Sequence, residues 1–93
     1  MENQTIDLSQ CDISDLAWCV IRDHRKRQKP IPPAAAPYLS AMRQCTELTD
    51  RYGLDSAEGI VLRFLGNFSS ARGTVSKAVR EELKKRLRAL KQV

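Results

Sequence analysis

Lys77, Arg80, Lys84, Arg88 and Lys91 recur at steps of three and four residues. That spacing places side chains on one narrow stripe of an α-helix. The chemistry open to such a stripe is electrostatic: five permanent cations in a row can hold an anion by charge and by donated hydrogen bonds. Residues 72–93 contain eight Lys and Arg against Glu81 and Glu82, a net charge of +6 in a chain whose total is +5. Everything before this segment is therefore nearly neutral. Like charges at helical spacing cost about 0.2–0.5 kcal/mol per pair in an isolated helix, a cost that counterions or a polyanion remove. The simplest alternative is a solvated face whose cations complement the helix dipole and keep a small protein soluble.

No other set of residues offers comparable chemistry. His24 is the one histidine, and the serines stand beside no base, so neither a nucleophile with its activator nor an acid/base pair is indicated. An enzyme is not expected. Cys11, Cys19 and Cys45 are widely spaced, with no CxxC and no second imidazole, which argues against a metal site, a cofactor-binding thiol set or a disulfide framework. Cys19 and Cys45 lie in apolar-periodic stretches and read as small buried hydrophobes. His24 reads as a surface or helix-end residue.

Ninety-three residues make one small domain, able to bury only about 60–65% of the surface its unfolded chain exposes. With 42% hydrophobic residues and five aromatics, the chain should fold around an aliphatic helical core. No run approaches the roughly 18 apolar residues that would cross a bilayer, and the polar, acidic beginning is unlike a signal peptide. The expected compartment is the cytoplasm. Binding to a membrane surface is not expected, because the basic helix lacks aromatic anchors on its apolar face.

The elements that must position the basic stripe follow from periodicity. Residues 1–11 read as a flexible or loosely docked arm, and residues 12–93 as a single all-α domain of about four helices. Asp12 or Ser14 can cap a first helix, about 13–27, in which Ile13, Leu16, Ala17, Val20 and Ile21 form the apolar stripe. It ends in a second basic cluster, Arg25, Lys26 and Arg27 with Lys29, and Pro30 stops it. Trp18 points away from the main stripe, toward another helix or an interface. Pro30, Pro32 and Pro33 force an extended connection. A second helix then spans 34–52, with Leu39, Met42, Cys45, Leu48 and Tyr52 inward and Gly53 as its C-terminal cap. Ser56 or Asp55 opens a third helix, about 56–65, apolar on nearly all sides and ended by Gly66 and Asn67.

The fourth helix runs from 70 or 74 to 91. Val75, Ala78, Val79, Leu83, Leu87 and Leu90 fall within one half of its circumference and form a core face. Glu81 with Lys85 and Glu82 with Arg86 make favourable i,i+4 pairs. Glu82 and Arg86 project into the apolar half, an arrangement that a homodimer would accommodate. If Ser69 or Ser70 is the cap, the turn Gly66-Asn67-Phe68-Ser69 and the two flanking helices form a helix-turn-helix. The helix start would then offer Ser70, Arg72, Thr74, Ser76 and Lys77 to base edges, and Arg80, Lys84, Arg88 and Lys91 to phosphates. Glycine at 73 inside a helix would cost about 1 kcal/mol relative to alanine.

Residues 70–80, Ser-Ala-Arg-Gly-Thr-Val-Ser-Lys-Ala-Val-Arg, resemble the recognition helix of bacterial and phage helix-turn-helix and winged-helix regulators. The resemblance implies a DNA-binding protein whose fourth helix enters the major groove. Residues 16–33, which join Leu-Ala-Trp through Arg-Lys-Arg to Pro-Ile-Pro-Pro, more faintly resemble small proteins encoded by phages of actinobacteria. That second resemblance implies a mobile-element origin and a regulatory or host-directed role. Together these features predict a duplex-DNA-binding regulator of transcription or recombination. The alternative is an accessory protein that docks on a host protein through Trp18 and the basic stripe without binding DNA.

Overall fold

Asp12 opens the first helix by a reciprocal capping box. Its carboxylate accepts the Asp15 N–H at 2.8 Å, while the Asp15 carboxylate accepts the Asp12 N–H at 3.2 Å. In the computed structural model, which describes residues 7–69 and 71–91, this helix is α1 (Ile13–Lys26), burying Ile13, Leu16, Ala17, Val20 and His24. The prolines that follow delay the next helix until α2 (Ala36–Met42), where Pro37 stands in the first turn, the position at which a missing N–H is harmless.

The second helix is much shorter than its apolar spacing predicts. After Met42 the chain turns, and the Asp50 carboxylate accepts the N–H groups of Thr46 at 2.7 Å and Glu47 at 3.0 Å. These bonds hold the Asp50 carboxyl below its ordinary range, the Glu47 N–H contributing most. They also satisfy donors that a continuing helix would have paired with carbonyls. Leu39, Met42, Cys45 and Leu48 are buried as predicted, the last two from non-helical backbone, whereas Tyr52 is exposed. Tyr52 belongs to a hairpin of β1 (Arg51–Tyr52) and β2 (Asp55–Ser56), antiparallel in the register Arg51 to Ser56 and Tyr52 to Asp55. Gly53, at φ +64°, supplies the left-handed conformation of its two-residue turn rather than a helix cap.

The Ser56 hydroxyl accepts the Gly59 N–H at 3.1 Å and starts α3 (Ala57–Phe68). Gly66 and Asn67 do not end it. Both face solvent, while Phe68 one turn after Phe64 is fully buried and stacks on it at 4.7 Å. Burying that ring extends the helix past its weak formers. Leu62, on the outer side of α3, is exposed rather than part of the core. The last helix is α4 (Thr74–Leu90).

The described residues thus form an all-α architecture of four helices with one short hairpin. α4 lies chiefly along α1 and α3 chiefly along α2, with α1 also touching α2; contact between α3 and α4 is lesser. Val79, Leu83 and Leu87 carry the core face of α4, and Val75, Ala78 and Leu90 pack at its margin. Leu8 joins the same core, and residues 1–6 of the expected arm lie outside the described residues. No described helix is long and apolar enough to cross a membrane.

Candidate nucleic-acid interface

Because α4 buries Val79, Leu83 and Leu87, the stripe about a quarter turn away is forced outward. Lys77, Lys84, Arg88 and Lys91 are all exposed there. Among the described residues none of these four cations forms an ion pair with an acid. At 1.5 Å per residue the row from Lys77 to Lys91 is about 21 Å long. Glu81 is exposed on the same side and is the one acid beside the row.

Arg80 departs from the expected phosphate-binding set. It is half-buried and donates through Nη1 to the Ala71 carbonyl at 2.7 Å, so its guanidinium ties down the connection that precedes α4. A second arginine does the same from α1. Arg27 pairs with Asp23 at 2.9 Å, one helical turn back, and donates to the Arg72 carbonyl at 3.1 Å. The secondary cluster 25–29 is therefore divided: Arg25, Lys26 and Lys29 are exposed, while Arg27 is structural.

Gly73 explains why these contacts form. It is the N-cap of α4, at φ +107° and ψ 155°, a region open essentially to glycine alone. A Cβ there would lie 3.1 Å from the Arg27 Cζ. Glycine is thus required before the helix rather than tolerated inside it, and α4 begins at Thr74. The expected turn at Gly66–Ser69 lies mostly in the last turn of α3, and the connection between the helices is residues 69–73.

Of the residues expected to reach base edges, Arg72, Thr74 and Lys77 are exposed. Ser76 is not available: it is fully buried, and its hydroxyl has no hydrogen-bond partner among the described residues. The apolar residues around it in the helical period carry it into the core. Ser70 lies outside the described residues.

The opposite flank of α4 uses its charges internally. Arg86 Nε donates to the Glu82 carboxylate at 2.8 Å, and its Nη2 donates to the carbonyls of Leu8 at 3.0 Å and Ser9 at 3.4 Å. Lys85 pairs with Glu82 at 3.4 Å rather than with Glu81. The Glu82–Arg86 pair, which invited a second subunit, is occupied by this chain's own residues 8 and 9. Trp18 is half-buried with the Arg43 guanidinium 4.3 Å above its ring.

His24 stands in the last turn of α1, the helix-end position expected, but is buried rather than at the surface; its Nδ1–H donates to the Val20 carbonyl at 3.0 Å, and its ring lies 5.7 Å from Phe68. Burial pushes the thiols of Cys45 and Cys11 up, which disfavours the reactive thiolate. Among the described residues, no group of three or more His, Cys, Asp or Glu is placed to hold a metal ion. The roles of Arg27 and Arg86 as backbone clamps were not readable from charge alone, although the i,i+4 acids Asp23 and Glu82 were the available signal. Comparison of the chain with protein-family models, with curated proteins and with solved structures finds no match.

Proposed function

We propose that this protein binds duplex DNA along the outer face of α4 and acts through that binding in the regulation of transcription or recombination. The observation that supports it most is the row of Lys77, Lys84, Arg88 and Lys91, outward and without an ion pair among the described residues along about four turns of one helix. A helix with its side chains is about 10–12 Å across, and the major groove is about 12 Å wide. In this proposal α4 takes the part of the recognition helix that residues 70–80 resemble. Arg72 and Thr74 then face the bases with Lys77, and the later cations face phosphates.

Titrating labelled duplex across a range of salt tests the proposal. The three phosphate contacts of Lys84, Arg88 and Lys91 give a log–log slope of about −2.7, and Lys84→Gln with Arg88→Gln lowers it to about −0.9 for every sequence. Arg72→Ala relaxes sequence preference. Absence of binding at low salt would refute the proposal.

Exposed apolar residues on another part of the surface favour a second function, docking on a host protein as a phage or mobile-element accessory factor. Leu54 at the hairpin tip is 97% exposed, and Tyr52 and Leu62 are exposed near 45%. Recovery of one host protein after nuclease treatment, lost on Leu54→Ser, would support that reading over the first.

A further inference from the structure

The two basic segments, about 45 residues apart in sequence, meet at one end of the molecule. There the end of α1 and the connection before α4 enclose an open pocket of about 300 Å³, lined by His24, Arg27, Lys29 and Arg72 together with Pro30 and Pro32. We infer that this pocket is a binding site for a phosphate group.

Three observations converge on an anion of that kind. First, the acceptors nearest the pocket are already taken: Arg27 holds the Arg72 carbonyl and Arg80 holds the Ala71 carbonyl. Asp23 is neutralised by Arg27 at 2.9 Å, so the surplus charge on the rim belongs to Lys29 and Arg72, both exposed. Pro30 and Pro32 make a stiff wall.

Second, His24 is 95% buried by its 5% exposure, yet it lines the pocket. Its Nδ1–H is committed to the Val20 carbonyl, which fixes the ring, and its Nε2 makes no hydrogen bond among the described residues. With its ring fixed in this way, an imidazole at the wall of a cationic pocket can hydrogen-bond a phosphate group through its second nitrogen. Third, α4 begins beside this pocket with no side-chain cap, and its first backbone bond is Lys77 N–H to the Gly73 carbonyl at 3.0 Å. The N–H groups of the first turn give that end of α4 partial positive charge.

The site is distinct from the outward row on α4 although it shares Arg72 with the proposed duplex interface, and it stands whether or not that row meets DNA. Phosphate could reach it on a nucleic-acid backbone or as a free phosphate compound, and the recognition chemistry is shared. Titration of the full chain with inorganic phosphate at constant ionic strength, followed by NMR, tests it. Saturable shifts are expected at the His24 ring and the Gly73 and Thr74 amides, absent with matched chloride. Arg72→Gln should raise the half-saturating phosphate concentration about tenfold, the loss of one charge-assisted hydrogen bond. Lys29→Gln should raise it further.

Lys84→Gln with Arg88→Gln should leave the phosphate titration unchanged while weakening duplex binding, which separates failure of this site from failure of the α4 interface. An unmoved His24 ring, or shifts that survive Arg72→Gln combined with Lys29→Gln, would overturn the inference. Short duplex added to the phosphate-loaded protein then distinguishes the sources. Replacement of the phosphate-induced His24 shift by a duplex-induced one supports a backbone phosphate, and its persistence supports a free phosphate compound.

Discussion

The two flanks of α4 handle positive charge in opposite ways. On one, Arg86 is locked between the Glu82 carboxylate and the carbonyls of Leu8 and Ser9. On the other, Lys77, Lys84, Arg88 and Lys91 form no ion pair among the described residues. The difference is one of neighbours rather than of residue type. A guanidinium within reach of its own backbone becomes a strut, because its planar fork satisfies several acceptors at once. A cation on a face that the core turns away from every acceptor stays available to a partner. Charge at a candidate interface should therefore be counted after such struts are removed, and Arg27, Arg80 and Arg86 are removed here.

The contrast is broken most severely by Arg86→Ala. It leaves the Glu82 side chain, 11% exposed, without its closest partner and the Leu8 carbonyl with the Cys11 N–H as its remaining donor. A loss of about 3 kcal/mol is expected in urea unfolding, with duplex affinity unchanged below the transition. If affinity fell while stability held, the two flanks would have been assigned the wrong way round. Gly73→Ala comes next. Its backbone region excludes side chains and the new Cβ meets Arg27, so a loss of about 2 kcal/mol is expected by the same measurement.

Ser76→Ala should act in the other direction. Removing a buried hydroxyl with no partner, at a site where alanine is the better helix former, should stabilise by about 1 kcal/mol. Thermal melting checks this directly, and a destabilised variant would mean that the hydroxyl has a partner in solution. The smallest effect on folding belongs to Lys84→Gln with Arg88→Gln, within about 0.5 kcal/mol. Their effect should appear only in the salt dependence of binding. A large shift in melting temperature would show that these side chains are struts too.

The parts of this fold governed by local rules were legible in the sequence. Asp12 and Ser56 act as caps where their side chains and spacing place them, and the α4 core face follows its apolar period. The second helix was misread because Leu39, Met42, Cys45 and Leu48 keep a helical rhythm that non-helical backbone also satisfies once Asp50 caps Thr46 and Glu47. The α3 terminus was misread because Phe68 packs on Phe64 through a contact stronger than the preference of Gly66 and Asn67 to stop. At the candidate site the outward row was readable from periodicity. The inward turn of Ser76 follows from its place on the face of Val79, Leu83 and Leu87 and was legible from the same period, whereas the capture of Arg27 and Arg80 by carbonyls of residues 72 and 71 depends on tertiary packing that no local pattern encodes.

The pairing of α1 with α4 sets a timetable for synthesis. The first residue of α4 follows the last of α1 by 48 positions, so at roughly 10 residues per second the ribosome delivers it about 5 s later. α2 and α3 can meet during that wait, whereas the side of α1 destined for α4 stays uncovered. Arg86 must then close back on Leu8 across 78 residues, a long-range closure that comes late because it repays its loop entropy only once α4 has docked. The nascent chain therefore spends its most vulnerable seconds with an apolar helix face open to chaperones or to another copy of itself, until the basic helix arrives to cover it.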